Sequence, residues 1–218
     1  MNTYKTADLS GAEWISTGGA CCTPMIRKTL SFPKVTSAKI TIAGLGIFEI
    51  FINGKKVSDD LFLPLSTDFH ERPEKLYRGV PYDEKMRHRL YCPVYDITSY
   101  LKEGENTIAF LMGPGWYEMP NECYEYGHIK LCYVIDWQDE KGETHRTGSD
   151  GSHKWKESYV KKANLLKGEV HDYRDYDEIW MQTSYDDSDW AAVCLEKVPE
   201  THFYIQDCPA DRVIRHIT

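Results

Sequence analysis

The chain has 218 residues, 41% of them hydrophobic and 28% charged, which is ordinary for a folded protein and excludes a disordered one. A formal net charge of -8 argues against a phosphate-backbone ligand, because nucleic-acid binders use a basic face to displace counterions. No apolar run approaches the roughly 20 residues that span a bilayer, and the start, Met1 to Asp8, has no signal-peptide core. The 7 cysteines are scattered, odd in number and include the adjacent pair Cys21-Cys22, poor material for a disulfide framework. The expectation is a reducing, cytoplasmic location with no nucleic acid and no membrane as partner.

Trp14-Ile15 and the run Met25 to Phe32 are the first predicted strands, separated by Gly18-Gly19 and closed by Pro33. Ala38, Ile40 and Ile42 alternate with Lys39 and Thr41 to mark a half-exposed strand, which Gly44 and Gly46 are expected to break or bulge. Apolar side chains alternate again through Phe48, Ile50 and Ile52, and Asn53-Gly54 then supplies the positive backbone angles of a tight hairpin. From Leu63 to Pro93 prolines stand at 64, 73, 81 and 93, so a long helix is excluded and an insertion on the surface is predicted. Its basic stretch, Lys85 to Arg89, reads as a solvated loop.

Asp96 to Leu101 reads as a short turn that buries Leu101, and Gly104-Glu-Asn106 reverses the chain into a strand over Thr107 to Met112. Ile129, Leu131, Tyr133, Ile135 and Trp137 occupy one side of the next strand, with Asp139 to Glu143 as its hairpin connection. Asp150 to Trp155 has an edge-strand pattern in which a Trp covers the end of the core. Tyr185 to Trp190 places another Trp after a polar turn, a habit of galactose-binding-like jelly rolls. Many short strands at turn-punctuated spacing predict an all-β sandwich or jelly roll with a long surface insertion. Residues 1–218 form one region: leading strands over 1–35, sandwich core over 36–62 and 94–206, insertion over 63–93, and an exit strand or linker over 207–218.

Phe48 to Val57, Asp96-Ile-Thr98, Leu101 to Asn106 and Gly113-Pro-Gly-Trp-Tyr117 resemble, in this order, motifs of the N-terminal region of bacterial α-L-rhamnosidases. The family's forms are aromatic-Glu-x-x-Ile-Asn-Gly-x-x-Val, Asp-Val-Thr, Leu-x-x-Gly-x-Asn and Gly-x-Gly-Trp-Tyr. Glu13-Trp-Ile15 and Ile26-Arg-Lys28 are similar to its opening strands, and Gly168-Glu169 with Asp172, Tyr173 and Arg174 to its Gly-Glu-x-Tyr-Asp-x-Arg segment. Thr67-Asp-Phe69 and Arg72 also match, but the passage from there to Tyr95 is longer than in the family. Pro209 to Arg215 resembles the strand that leads onward. The resemblance implies that catalysis belongs to a helical α/α barrel downstream, so the chain is expected to be a truncated, non-catalytic part whose partner is that catalytic domain.

No catalytic residue is assigned. The 8 histidines show no His-x-x-x-His spacing and the cysteines no Cys-x-x-Cys, so zinc is not expected, and the Gly-x-Ser-x-Gly elbow is absent. A sugar site on a β-sandwich combines an aromatic platform with carboxylate or amide groups, sometimes through calcium. Two segments offer these groups: Trp116, Tyr117, Glu118 and Asn121, and then Glu169, Asp172, Arg174 and Asp175. The plain alternatives are that Trp116 and Tyr117 plug the rim of the core and that the second cluster pins a long connection. No cofactor is required, calcium is a candidate without assigned ligands, and a rhamnose-containing glycan is a candidate ligand. The competing reading is a stand-alone lectin-like module that binds rhamnose or a related carbohydrate.

Overall fold

A computed structural model describes residues 4–69, 76–77, 80–81, 88–118 and 126–214. In chain order its strands begin with β1 (Trp14–Ser16), β2 (Pro24–Phe32), β3 (Val35–Leu45), β4 (Ile47–Ile52) and β5 (Lys55–Lys56). Next come β6 (Leu76–Tyr77), β7 (Val80–Pro81), β8 (Arg89–Cys92), β9 (Val94–Asp96) and β10 (Gly104–Gly113). The rest are β11 (Lys130–Asp139), β12 (Thr144–Gly148), β13 (Lys154–Glu157), β14 (Val160–Asn164), β15 (Gly168–His171), β16 (Ala191–Ala192), β17 (Cys194–Glu196) and β18 (His202–Ile205).

Two antiparallel sheets build the predicted sandwich. One has the order β17-β1-β11-β3-β9, with β12 also paired to β11, and the other β16-β13-β2-β10-β4-β5. Ile40, Ile42, Leu131 and Tyr133 of the first sheet meet Ile50, Ile52, Ile108 and Phe110 of the second in the central core. These are the inward positions of the alternation seen in the sequence, since successive side chains of a strand point to opposite faces.

Both sheets are also covered on their outer faces. On the first, Phe69, Leu90, Cys92 and Tyr117 pack over Trp14, Ala43, Leu45 and Cys132. On the second, Trp180 and Trp190, with Met181 and Tyr185, pack over Met25, Phe51, Ala109 and Leu111. Arg27 lies on this second outer face, 1% exposed. Its guanidinium donates to the Gln182 carbonyl at 2.9 Å, pairs with Asp187 and sits 5.5 Å from the Tyr185 ring centroid. The residue thereby pins the covering segment to the sheet.

This layering corrects several sequence expectations. The 129–137 strand is buried on both sides, because Cys132 and Val134 are as inaccessible as Leu131 and Tyr133. In the described part of the 63–93 stretch, Leu63 belongs to the central core, and Phe69, Leu90 and Cys92 pack on the outer face of the first sheet. Residues Lys85 to Arg87 lie outside the described residues, while Arg89 opens β8, with its guanidinium 5.2 Å from the Tyr4 ring centroid. Gly44 does not interrupt β3 but pairs regularly with Leu131, and the break falls at Gly46 alone. Ile97, not Leu101, is the fully buried residue of the 96–101 turn. After Pro209 the described chain makes one isolated bridge, Leu61 to Asp211, rather than a strand.

Two turns from the motif string lock together. Asn53 takes φ 51° and Gly54 φ 80°, the pair of positive angles that a two-residue hairpin between β4 and β5 requires. Asn53 Nδ2 donates to Asn106 Oδ1 at 2.8 Å and to the Tyr100 carbonyl at 3.0 Å, and its Oδ1 accepts from Thr107 N at 3.0 Å. Asn106, wholly buried, accepts from Lys102 N at 2.9 Å and donates to the Lys102 and Gly104 carbonyls at 2.7 and 2.8 Å. Residues 5–7 lie along β18, with Ala7 N donating to the Phe203 carbonyl at 3.0 Å and Ile205 N to that of Lys5 at 2.7 Å. β18 in turn pairs parallel with β8.

Candidate functional site

The candidate site forms where β3 returns as β4. Gly46 has φ +110°, and a Cβ there would lie 2.6 Å from the Gly113 carbonyl oxygen and 2.7 Å from Ile129 Cγ2. Only a residue without a side chain makes this return. Ile47, immediately after it, pairs with Gly113 at the end of β10. Two cavities open beside Ile47, walled by the 60–66 segment and by the β14–β15 hairpin. One, of about 360 Å³, is lined by Ile47, Phe62, Pro64, Trp116, Leu165 and Asp211, among others. The other, of about 250 Å³, is lined by Ile47, Glu49, Asp60, Phe62, Tyr159 and Glu169, among others.

Phe62 is common to both cavities, 54% exposed, with φ +55°. A bulky side chain in the left-handed region costs about 1–2 kcal/mol, so neighbouring contacts must hold it there. They do: Leu61 N donates to the Asp211 carbonyl at 2.8 Å, and the Leu63 carbonyl accepts from Phe48 N at 2.9 Å. The charged residues lining the two cavities are Glu49, Asp60, Glu169 and Asp211, with no lysine or arginine among the described linings. Burial alone would raise the Asp60 carboxyl, but hydrogen bonds from Arg212, Ser58 and Tyr95 hold it below the usual carboxylate value.

The sequence candidates divide between the cavities and the surface. Trp116 lines the larger cavity and is 42% exposed. Tyr117 reaches the same cavity from the outer core, edge-on to Phe69 at 5.3 Å and stacked on Tyr126 at 5.7 Å, and burial pushes its phenol up to about 12. Glu118 is half-buried, and its Oε2 accepts from Ile129 N at 3.2 Å. Asn121 lies outside the described residues. Glu169 lines the smaller cavity, with Oε2 2.7 Å from His171 Nε2.

Asp172, Arg174 and Asp175 line neither cavity. Asp172 caps the short 3-10 turn Tyr173–Asp175, accepts from Arg174 Nε at 2.8 Å and is lowered to about 2 by the Arg174 hydrogen bonds. Asp175 Oδ2 faces Lys161 Nζ at 2.8 Å. Trp116, Tyr117 and Glu169 thus come to one end of the sandwich, and Ile47, Asp60, Phe62 and Tyr159 join them without having been foreseen. The missed residues carry no sequence signal, for nothing in a Phe-Leu-Pro run announces a left-handed Phe.

The one described group of acidic and imidazole side chains whose ligand atoms converge, within 4.8 Å, is Asp139, Glu143 and His145. It sits at the β11–β12 hairpin, where Asp139 Oδ1 accepts from Lys141 N at 2.8 Å and Glu143 N at 3.0 Å, so the turn itself accounts for it. Among the described residues no helix is long and apolar enough to cross a membrane. None of the six described cysteines is in a disulfide.

Comparison with known proteins adds ancestry to this geometry. The family pattern described as "Alpha-L-rhamnosidase N-terminal domain" matches residues 33–78 and 80–215. An α-L-rhamnosidase of Formosa agariphila is 29% identical over 178 residues, covering 77% of this chain and 17% of its own length. One of Streptomyces avermitilis is 27% identical over 172 residues, covering 75% of this chain and 15% of its own length. The crystal structure of Streptomyces avermitilis α-L-rhamnosidase complexed with L-rhamnose superposes with a TM-score of 0.76 at 26% identity, over 89% of this chain and 18% of that one. The chain therefore spans about a sixth of the curated relatives it matches.

Proposed function

Because the chain belongs to the α-L-rhamnosidase N-terminal domain family, we propose that it is the non-catalytic β-sandwich front of an α-L-rhamnosidase-like glycoside hydrolase and steadies that enzyme's catalytic unit. One observation carries the reading: three quarters of this chain matches 15% and 17% of two rhamnosidases, leaving most of each enzyme to other parts. The electrostatics support it. Glycoside hydrolysis uses a carboxylic acid whose pKa is raised, opposite a second carboxylate. The carboxyls of Asp8, Asp60, Asp96, Asp139, Asp150, Asp172, Asp186, Asp189 and Glu196 are held below their usual values, the wrong direction for a proton donor.

Docking would use exposed apolar side chains, and Leu166, Val170, Tyr173, Tyr176 and Ile179 crowd one such stretch. A reducing, cytoplasmic setting belongs to the same proposal, since the adjacent Cys21 and Cys22 are free thiols that burial shifts upward. The purified chain is expected to release no nitrophenol from an aryl α-L-rhamnoside. Fused in place of the matching segment of the Streptomyces avermitilis enzyme, it is expected to restore an active rhamnosidase with a higher Tm than the enzyme lacking that segment. Hydrolysis that stays with the isolated chain through purification refutes the proposal.

A further inference from the structure

We propose that the cleft beside β9 takes one extended strand of a partner polypeptide, an apolar segment flanked by lysines, which adds to the outer edge of the first sheet. β9 is the last strand of that sheet and pairs on one side only, with β3. Ile42 N donates to the Pro93 carbonyl at 3.1 Å, and Ile97 N to that of Ala38 at 2.9 Å. Backbone groups along an antiparallel strand turn to alternate sides, so Pro93, Tyr95 and Ile97 direct theirs to β3. The N–H and C=O of Val94 and Asp96 therefore face outward, and they have no partner among the described residues. Two residues of an extended chain rise about 7 Å, so these groups match residues i and i+2 of an incoming strand.

A cavity of about 330 Å³ lies against this edge, with 93–95 on one wall and residues of the 206–212 segment on the other. The facing segment admits a single strand and shuts out a whole sheet, because a second copy would bring its own 206–212 segment into the same space. Val94, 37% exposed, and Pro209 give the cleft apolar walls. Gln206 Oε1 is buried without a hydrogen-bond partner among the described residues, an acceptor on the wall opposite β9. Arg212 is the one cation of the described lining, and it already donates to Asp60 at 2.5 Å, with Asp59 adding a second negative charge nearby. Asp96 and Asp207 are exposed beside the two walls, and Lys39, opposite Asp96, offsets only one of them. The excess of carboxylate favours lysine over glutamate at the ends of the incoming segment.

The test is an NMR titration of the isotope-labelled full chain with the capped peptide Lys-Val-Thr-Val-Lys. The amide protons of Val94 and Asp96 are expected to move downfield and saturate as they become hydrogen-bonded. A peptide N-methylated at its three inner residues, and one with glutamate in place of lysine, are each expected to bind at least about tenfold more weakly. Val94→Pro removes an outward N–H that takes no part in the ladder to β3, so it is expected to keep the fold, checked by circular dichroism, and to weaken the peptide at least about tenfold. Should that variant not fold, the N-methylated peptide decides the point on the wild-type chain. Absence of saturable shifts at Val94 and Asp96, equal binding of the N-methylated or glutamate peptide, or unchanged binding by folded Val94→Pro overturns the inference. The same shifts produced by raising the chain's own concentration would assign the edge to a second copy and overturn it too. None of these outcomes bears on the scaffold proposal, which is read from the rhamnosidase activity of the fusion.

Discussion

Asn106→Ala is the substitution whose cost follows most directly from the structure. The side chain is fully buried and makes four hydrogen bonds: to Asn53 Nδ2, the Lys102 N–H, and the Lys102 and Gly104 carbonyls. A net value of about 1 kcal/mol each gives about 4 kcal/mol. Lys102 is exposed and can exchange its lost bonds for water, which lowers the expected loss to about 3 kcal/mol. Against a total of about 5–15 kcal/mol for a domain this is large. Urea denaturation followed by tryptophan fluorescence should show a lower midpoint at unchanged m-value. Asn53→Gly keeps the positive φ while deleting the amide, so a double-mutant cycle isolates the Asn53–Asn106 contact, with an expected coupling of about 1 kcal/mol. A loss below about 1 kcal/mol for Asn106→Ala, or additive effects in the cycle, would show that the two turns are not clamped together.

Gly46→Ala should cost at least about 2 kcal/mol, because the new Cβ meets both a positive φ and the Gly113 carbonyl; an unchanged urea midpoint would contradict the tight return. His153 is buried between Tyr133 and Asp150, its Nε2 2.9 Å from the Tyr133 hydroxyl, and burial, aided by Lys28, lowers its pKa from 6.5 to about 4. The unfolded chain therefore takes up a proton below pH 6.5 that the native state refuses until about pH 4, so stability is lost as pH falls through this window, by about 3 kcal/mol at its lower end. Midpoints measured from pH 7.5 to 4.5 should slope accordingly, and His153→Gln should flatten them; equal slopes would dismiss the buried imidazole as their source. Arg27→Met should cost about 2 kcal/mol by removing the bonds to Gln182 and Asp187. Limited proteolysis should then cut within 182–189, and wild-type resistance there would show that the tryptophans hold the segment unaided.

Much of the central sandwich was legible because short-range rules set it. Alternation at Phe48, Ile50 and Ile52 marks the inward face of β4, Asn53-Gly54 has the angles of its hairpin, and Asp139 to Glu143 turns β11 into β12. The outer layers were not legible, since their covers come from distant, aperiodic sequence: Trp180 and Trp190 lie on Ala109, and β18 pairs with β8 across more than a hundred residues. Arg27, between Ile26 and Lys28, has the pattern of a solvent-facing strand residue and is buried only because the 180s fold over it. Trp116 and Glu169 were both named as candidate sugar contacts, but no local rule places them on neighbouring cavities. Tyr117 reaches the larger cavity from the packed layer beside Phe69, where the hydrogen-bonded turn from Pro114 to Glu118 sets it.

The seam formed by residues 5–7, β18 and β8 has a mechanical meaning. Because residues 5–7 run antiparallel to β18, with Lys5 opposite Ile205, the entering and leaving chains stand side by side. Tension drawn between them is met first by the Leu61–Asp211 and Asp60–Arg212 contacts of the segment after β18 and then falls on the open end of this ladder, whose hydrogen bonds break one after another instead of sharing the load. Strain passed through flanking parts of a longer polypeptide would be spent on these few sacrificial links, and neither main sheet would feel the pull until they had parted.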